Sequence, residues 1–118
     1  MTTKEIGNFG EDVAVEYLEE HDYDILERNF RMKFGEIDII AEKDGCMVFV
    51  EVKTRKNNLF GEPSEYVDYK KQEKIRKTAV VYADAENTDM RFDVIEVFYD
   101  KKQGHFFLTK VNHIENAF

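Results

Sequence analysis

Tryptophan is absent from this chain of 118 residues, and cysteine and proline occur once each, as Cys46 and Pro63. A lone cysteine excludes an intramolecular disulfide framework and fits a reducing compartment. No Cys/His pair accompanies Cys46, so it does not read as a nucleophile. One proline and six glycines leave no room for a long flexible linker. No apolar run approaches the roughly 20 residues a membrane helix needs, and the N-terminus lacks a secretory-signal pattern. The expectation is a soluble, cytoplasmic protein with no membrane partner. Positive charge is also scarce. Seventeen Lys and Arg face 25 Asp and Glu, for a net charge of −8, whereas nucleic-acid-binding domains are typically basic.

What is present suffices for one core. Hydrophobic residues make up 42% of the chain, among them ten Phe and six Tyr, and the expectation is a single domain over residues 1–118. The basic residues are grouped as Arg28, Arg31 and Lys33, then Lys53, Arg55 and Lys56, then Lys70, Lys71, Lys74, Arg76 and Lys77. A locally basic face on an acidic protein is therefore open. His21, His105 and His113 lack metal-ligand spacing and read as surface residues.

Residues 4–20 form an amphipathic helical pattern, with Ile6, Phe9, Val13, Tyr17 and Leu18 at helical spacing. Gly7 and Gly10 weaken its first turns, which suggests close packing there. A first strand is expected at 24–30, a hairpin at 35–53 and a polar loop at 54–64. A second helix follows over 68–83, with Ile75, Ala79 and Tyr82 on its buried side. Two later strands are expected at 91–99 and 106–111. This order predicts an α/β sandwich around a mixed central sheet, with the second helix crossing over to the later strand.

The hairpin carries the chemistry. Asp44-Gly45 is a strong two-residue turn signal between two runs rich in β-branched residues. Counting back from a Lys43–Cys46 pair sets Asp38 opposite Glu51, and Glu36 opposite Lys53. Ile40 and Phe49 then share the face of the acids, while Ile37, Ile39, Val48, Val50 and Val52 line the other. Opposed side chains lie within ~5.5 Å at Cβ, and two carboxylates held that close repel unless a cation sits between them. A hard divalent ion such as Mg²⁺, often held by one or two carboxylates plus water, meets that need. Lys53, two residues beyond Glu51, would orient or deprotonate an attacking water. The bland alternative is a solvated hairpin face with an ordinary Glu36–Lys53 ion pair. The apolar neighbours on both faces argue against it.

An Asp followed by Glu-X-Lys on the next strand resembles the signature of the PD-(D/E)XK, restriction-endonuclease-like superfamily. The whole chain resembles, more narrowly, the YraN-like family of small bacterial proteins. The matching segments are Gly7-Asn8-Phe9-Gly10-Glu11, Arg28-Asn29-Phe30-Arg31, Gly35-Glu36-Ile37-Asp38, Phe49-Val50-Glu51-Val52-Lys53, Phe60-Gly61-Glu62-Pro63, Lys71-Gln72, Arg91-Phe92-Asp93-Val94 and Asn116-Ala117-Phe118. They run nearly the full length in the family's order. The resemblance implies a restriction-endonuclease-like αβββαβ core in which Asp38 and Glu51 ligate Mg²⁺ or Mn²⁺ and Lys53 completes the catalytic set. Glu11 matches a helical acid that joins the metal site in some superfamily members, though a Glu in a first turn also simply offsets the helix dipole. Arg55, Lys56, Lys71 and Gln72 are the expected nucleic-acid contacts, Arg55 and Lys56 from the loop beyond the site. Asp93 reads as structural. The implied activity is metal-dependent hydrolysis of DNA phosphodiester bonds, with a homodimer compatible because cutting two strands takes two sites. The alternatives are a nucleic-acid-binding module with a nuclease fold and no turnover, or a structural or interaction protein.

Overall fold

In a computed structural model of the chain, which describes residues 2–59, 67–84 and 86–118, the first helix, α1, spans Thr3–Glu20. It begins at Thr3 because Thr2 caps it. The Thr2 hydroxyl accepts the Glu5 N–H at 3.1 Å, and the Glu5 carboxylate accepts the Thr2 N–H at 3.3 Å, a reciprocal capping box. Gly10, Ala14 and Leu18 form its buried stripe, flanked by Phe9, Val13 and Tyr17.

Three strands follow as an antiparallel meander, β1 (Asp24–Met32), β2 (Gly35–Lys43) and β3 (Cys46–Lys56). The β2–β3 turn has two residues, as expected. Asp44 and Gly45 both have positive φ, 51° and 78°, and Lys43 pairs with Cys46. A short 3₁₀ turn, Asn57–Leu59, leads toward helix α2 (Tyr69–Tyr82), which crosses over to β4 (Asp89–Lys102) and β5 (His105–Ile114). β3 and β4 pair in parallel and β4 and β5 antiparallel, giving a mixed sheet in the order β1-β2-β3-β4-β5. The αβββαβ order is present, with β5 added at the far edge. The loop expected at 54–64 is partly strand, because residues 54–56 extend β3; Phe60-Gly61-Glu62-Pro63 lies outside the described residues.

The two helices cover opposite faces of the sheet. α1 packs on Ile39, Ala41, Val48, Val50, Ile95 and Val97, while Ile75 and Ala79 of α2 pack on Ile40, Phe49 and Val94. No described helix is long and apolar enough to cross a membrane. One expected face is corrected. Ile37 packs with Phe30 on the α2 side, not with Ile39 on the α1 side. The cause is a break in alternation: Asn29 has a φ of +51°, and the β1–β2 ladder pairs Arg28 with Ile39 and then Phe30 with Ile37, skipping Asn29 and Asp38.

Candidate functional site

That break marks the place where β2 and β3 part. Their paired residues run from Lys43–Cys46 to Ile39–Val50 and stop there. In the alternation set by the turn, the next ladder bond would carry the Val52 N–H to the Ile37 carbonyl. The Val52 N–H instead donates to Asp38 Oδ2 at 2.9 Å. Asp38 thus replaces a ladder bond with a side-chain bond and holds its own carboxylate in the gap. Glu36 faces β1, where it pairs with Arg31 at 3.4 Å, so the expected Glu36–Lys53 opposition is not made.

The gap opens into a cleft of about 410 Å³ under the start of α2. Asp38 and Glu51 line it from the sheet, and Asp68, Lys70, Lys71, Lys74 and Ile75 from the helix side. Gly35 sets the helix close to the sheet: a Cβ there would lie 3.0 Å from Thr78 Oγ1 and 3.3 Å from the Lys74 carbonyl. Asp68 caps α2, its Oδ1 accepting the Lys71 N–H at 2.8 Å.

Burial and then the neighbouring Glu51 charge push the Asp38 carboxyl up to about 7, against the Val52 N–H that favours its ionised form. Glu51 is 5% exposed. Its Oε1 is ion-paired with Lys71 Nζ. Burial alone would lower the Lys71 pKa, but the bond and charge of Glu51 hold it above its usual value. The Lys71 ammonium group thus neutralises Glu51 beside an Asp38 whose ionised form is disfavoured.

Glu11 reaches this region from α1, on the other layer, and adds to the charge felt by Asp38. Its Oε1 is buried, accepts no hydrogen bond among the described residues, and lies 3.9 Å from Arg28 Nη2. Burial raises the Glu11 carboxyl as well. Carboxylate oxygens under mutual repulsion, with one buried oxygen left without a donor, are a donor set suited to a hard divalent ion. Among the described residues no three His, Cys, Asp or Glu side chains are gathered closely enough to hold a metal. Of the three expected ligands, Asp38 and Glu51 line the cleft and would share such an ion with water, while Glu11 does not line it.

Lys53 lies beyond Glu51 on β3, half-buried, outside the cleft lining, and has no hydrogen-bond or ion-pair partner among the described residues. Arg55 and Lys56 belong to β3 and not to a loop beyond it. The Arg55 guanidinium donates to Glu96 Oε2 at 3.1 Å, and Lys56 borders a separate hollow with Tyr99 and Lys101. Gln72 Nε2 donates to the Val67 carbonyl at 2.9 Å and braces the chain entering α2. Lys71 is therefore the expected contact residue that reaches the acids.

Lys70 and Lys74 are exposed and also line the cleft. Glu96 was missed. An acid within Val94-Ile95-Glu96-Val97-Phe98 is the signal that a buried partner is needed, and Arg55 and Asn112 supply it. His113 is corrected from surface to interior: its side chain is 8% exposed and its Nε2 lies 2.7 Å from Asp93 Oδ2. Asp93, fully buried, also accepts from Arg91 and from the Asn116 N–H. Burial alone would raise its carboxyl, but the bonds from His113, Arg91 and the backbone hold it low. Both carboxylate oxygens are occupied, so Asp93 ties β4 to the C-terminal end of the chain.

The family model described as "Uncharacterised protein family UPF0102" matches residues 10–97. A UPF0102 protein of Caldicellulosiruptor bescii is 49% identical, with all of both chains covered. One of Caldanaerobacter subterraneus is 50% identical over all of this chain and 98% of its own. A UPF0102 protein of Clostridioides difficile is 49% identical across the full length of both.

Proposed function

The chain belongs to the UPF0102 family, the YraN-like proteins, and from that footing we propose that it is a divalent-metal-dependent nuclease hydrolysing DNA phosphodiester bonds. The observation that carries the reading is the pairing of two mutually repelling carboxylates, Asp38 and Glu51, at the parting of β2 and β3 beside a lysine-lined cleft. A fold spends a ladder bond and buries like charges only where something compensates.

Asp38 and Glu51 would hold Mg²⁺ or Mn²⁺, which supplies charge stabilisation at the scissile phosphate and a more acidic water. The Val52 N–H fixes the Asp38 carboxylate, which lines the cleft. Lys70, Lys71 and Lys74 draw the phosphate backbone to that side of an otherwise acidic protein. Lys53, without another partner among the described residues, orients the attacking water or takes its proton. Arg55 is committed to Glu96 and contributes to the shape of the sheet.

The Lys71–Glu51 ion pair favours a second reading, a DNA-binding module that keeps the nuclease fold without turnover, since Lys71 already neutralises one acid. Cleavage decides between them. Single-stranded, duplex and branched DNA are incubated with the protein with and without Mg²⁺ or Mn²⁺. Metal-dependent cutting is expected, and Lys53→Ala should lower the single-turnover rate by about 10²–10⁴ while leaving folding and DNA affinity intact. Binding without cutting of any DNA form under either metal would select the second reading.

A further inference from the structure

We propose that Lys71 is an internal stand-in for the divalent ion: its ammonium group neutralises Glu51 in the metal-free protein, yields that carboxylate when metal arrives, and turns to the phosphate of the bound strand. The inference rests on the metal-site reading above and adds a residue that exchanges partners.

Three observations carry it. Glu51 is 5% exposed and fixed in β3, whereas the Lys71 side chain is 44% exposed. The acid is held, and the cation reaches it from a partly exposed stem. The Lys71 backbone is pinned, its N–H donating to Asp68 Oδ1 at 2.8 Å, so only the flexible four-carbon stem has to move. Lys71 also stands in the first turn of α2, where a cation opposes the helix dipole. The helix dipole disfavours it there, and the acids of the sheet offset that cost.

A divalent ion on Asp38 and Glu51 would face the Lys71 ammonium across one carboxylate, and like charges at that range repel strongly in a partly buried cleft. Glu51 therefore serves one of them at a time. The displaced ammonium turns into the open cleft that it lines with Lys70 and Lys74, where the phosphate of a bound strand offsets the repulsion among the three. The competition suppresses metal uptake by the empty protein and releases a positive charge as the site fills. A glutamine at this position can still donate to the Glu51 carboxylate, and a thermal melt of each variant checks that the fold is retained.

The test is a calorimetric Mn²⁺ titration of the full chain, comparing parent, Lys71→Gln, Lys71→Arg and Lys74→Gln. Lys71→Gln should bind Mn²⁺ more tightly by about tenfold, the order expected on removing one nearby like charge. Lys71→Arg should stay at or below the parent, and Lys74→Gln should change affinity by much less than Lys71→Gln. Binding by Lys71→Gln alone, with a silent parent, supports the same account in a stronger form. If the parent binds Mn²⁺ and Lys71→Gln binds equally or more weakly, the exchange is wrong while the metal site stands. If no variant binds Mn²⁺, the metal site itself falls and the exchange with it.

Discussion

At the scale of single residues, Asp38 concentrates the tension in this molecule. It accepts one backbone N–H, faces the Glu51 charge, and is pushed up to about 7 from an ordinary 3.8. A carboxyl whose folded value is raised takes up a proton on folding. Its contribution to stability is full below about pH 4 and is lost as pH rises through about 7. Asp38→Asn removes the charge while its amide oxygen still accepts the Val52 N–H. In metal-free buffer the variant should therefore match the parent near pH 4 and exceed it at about pH 8. A shift near three units sets the ceiling of that gain at roughly 4 kcal/mol. Denaturant melts of both proteins across this range check it; a parent that gains stability relative to Asp38→Asn as pH rises would show that the acid is not strained. The buried charges were unevenly legible in the sequence. Asp38 and Glu51 stood out because a turn fixes the register as far as Ile39–Val50, one pair short of them, whereas Glu96 and His113 depend on partners 41 and 20 residues away, Arg55 and Asp93. No local pattern announces such a pairing.

At the scale of elements, periodicity and turn chemistry located both helices and all five strands, because each is driven by a local apolar pattern. The exceptions have physical causes. The face of Ile37 departs from simple alternation because Asn29 takes a positive φ and the ladder skips a pair, a backbone event with no periodic trace. Arg55 and Lys56 stay in β3 because parallel pairing with β4 continues to Lys56–Tyr99, a non-local cause. The two glycines of α1 separate cleanly. A Cβ at Gly10 would overlap Thr54 Oγ1 and sit 2.9 Å from Thr54 Cβ, whereas one at Gly7 meets nothing within 4 Å. Gly10 thus allows the close approach of α1 to β3 that brings the adjacent Glu11 toward Asp38. Gly10→Ala should cost about 1–3 kcal/mol through overpacking. Gly7→Ala should be neutral or stabilise by up to about 1 kcal/mol through helix propensity. Thermal melts of the pair suffice, and equal effects would remove the close-packing account of the helix seat.

At the scale of the whole molecule, the net charge of −8 would repel DNA at long range, so the DNA binding proposed above would depend on the local group Lys70, Lys71 and Lys74 at the cleft. Affinity should fall with salt, and Lys74→Ala should reduce the log–log slope by about one, while Arg55→Ala, whose guanidinium serves Glu96, should leave the slope unchanged. Binding measured over a salt series decides this, and a slope that Arg55→Ala lowers as much as Lys74→Ala would move the DNA path across the sheet. The central claim is narrower: the repelling pair at the parting of β2 and β3 is a cation site. Calorimetric titration of Mn²⁺ into the parent, Asp38→Asn and Glu51→Gln at about pH 8, above the value near 7 at which Asp38 ionises, tests it most directly. The parent should bind and both variants should lose that binding; Asp38→Asn and Glu51→Gln proteins that bind Mn²⁺ as the parent does would show that the pair holds no cation.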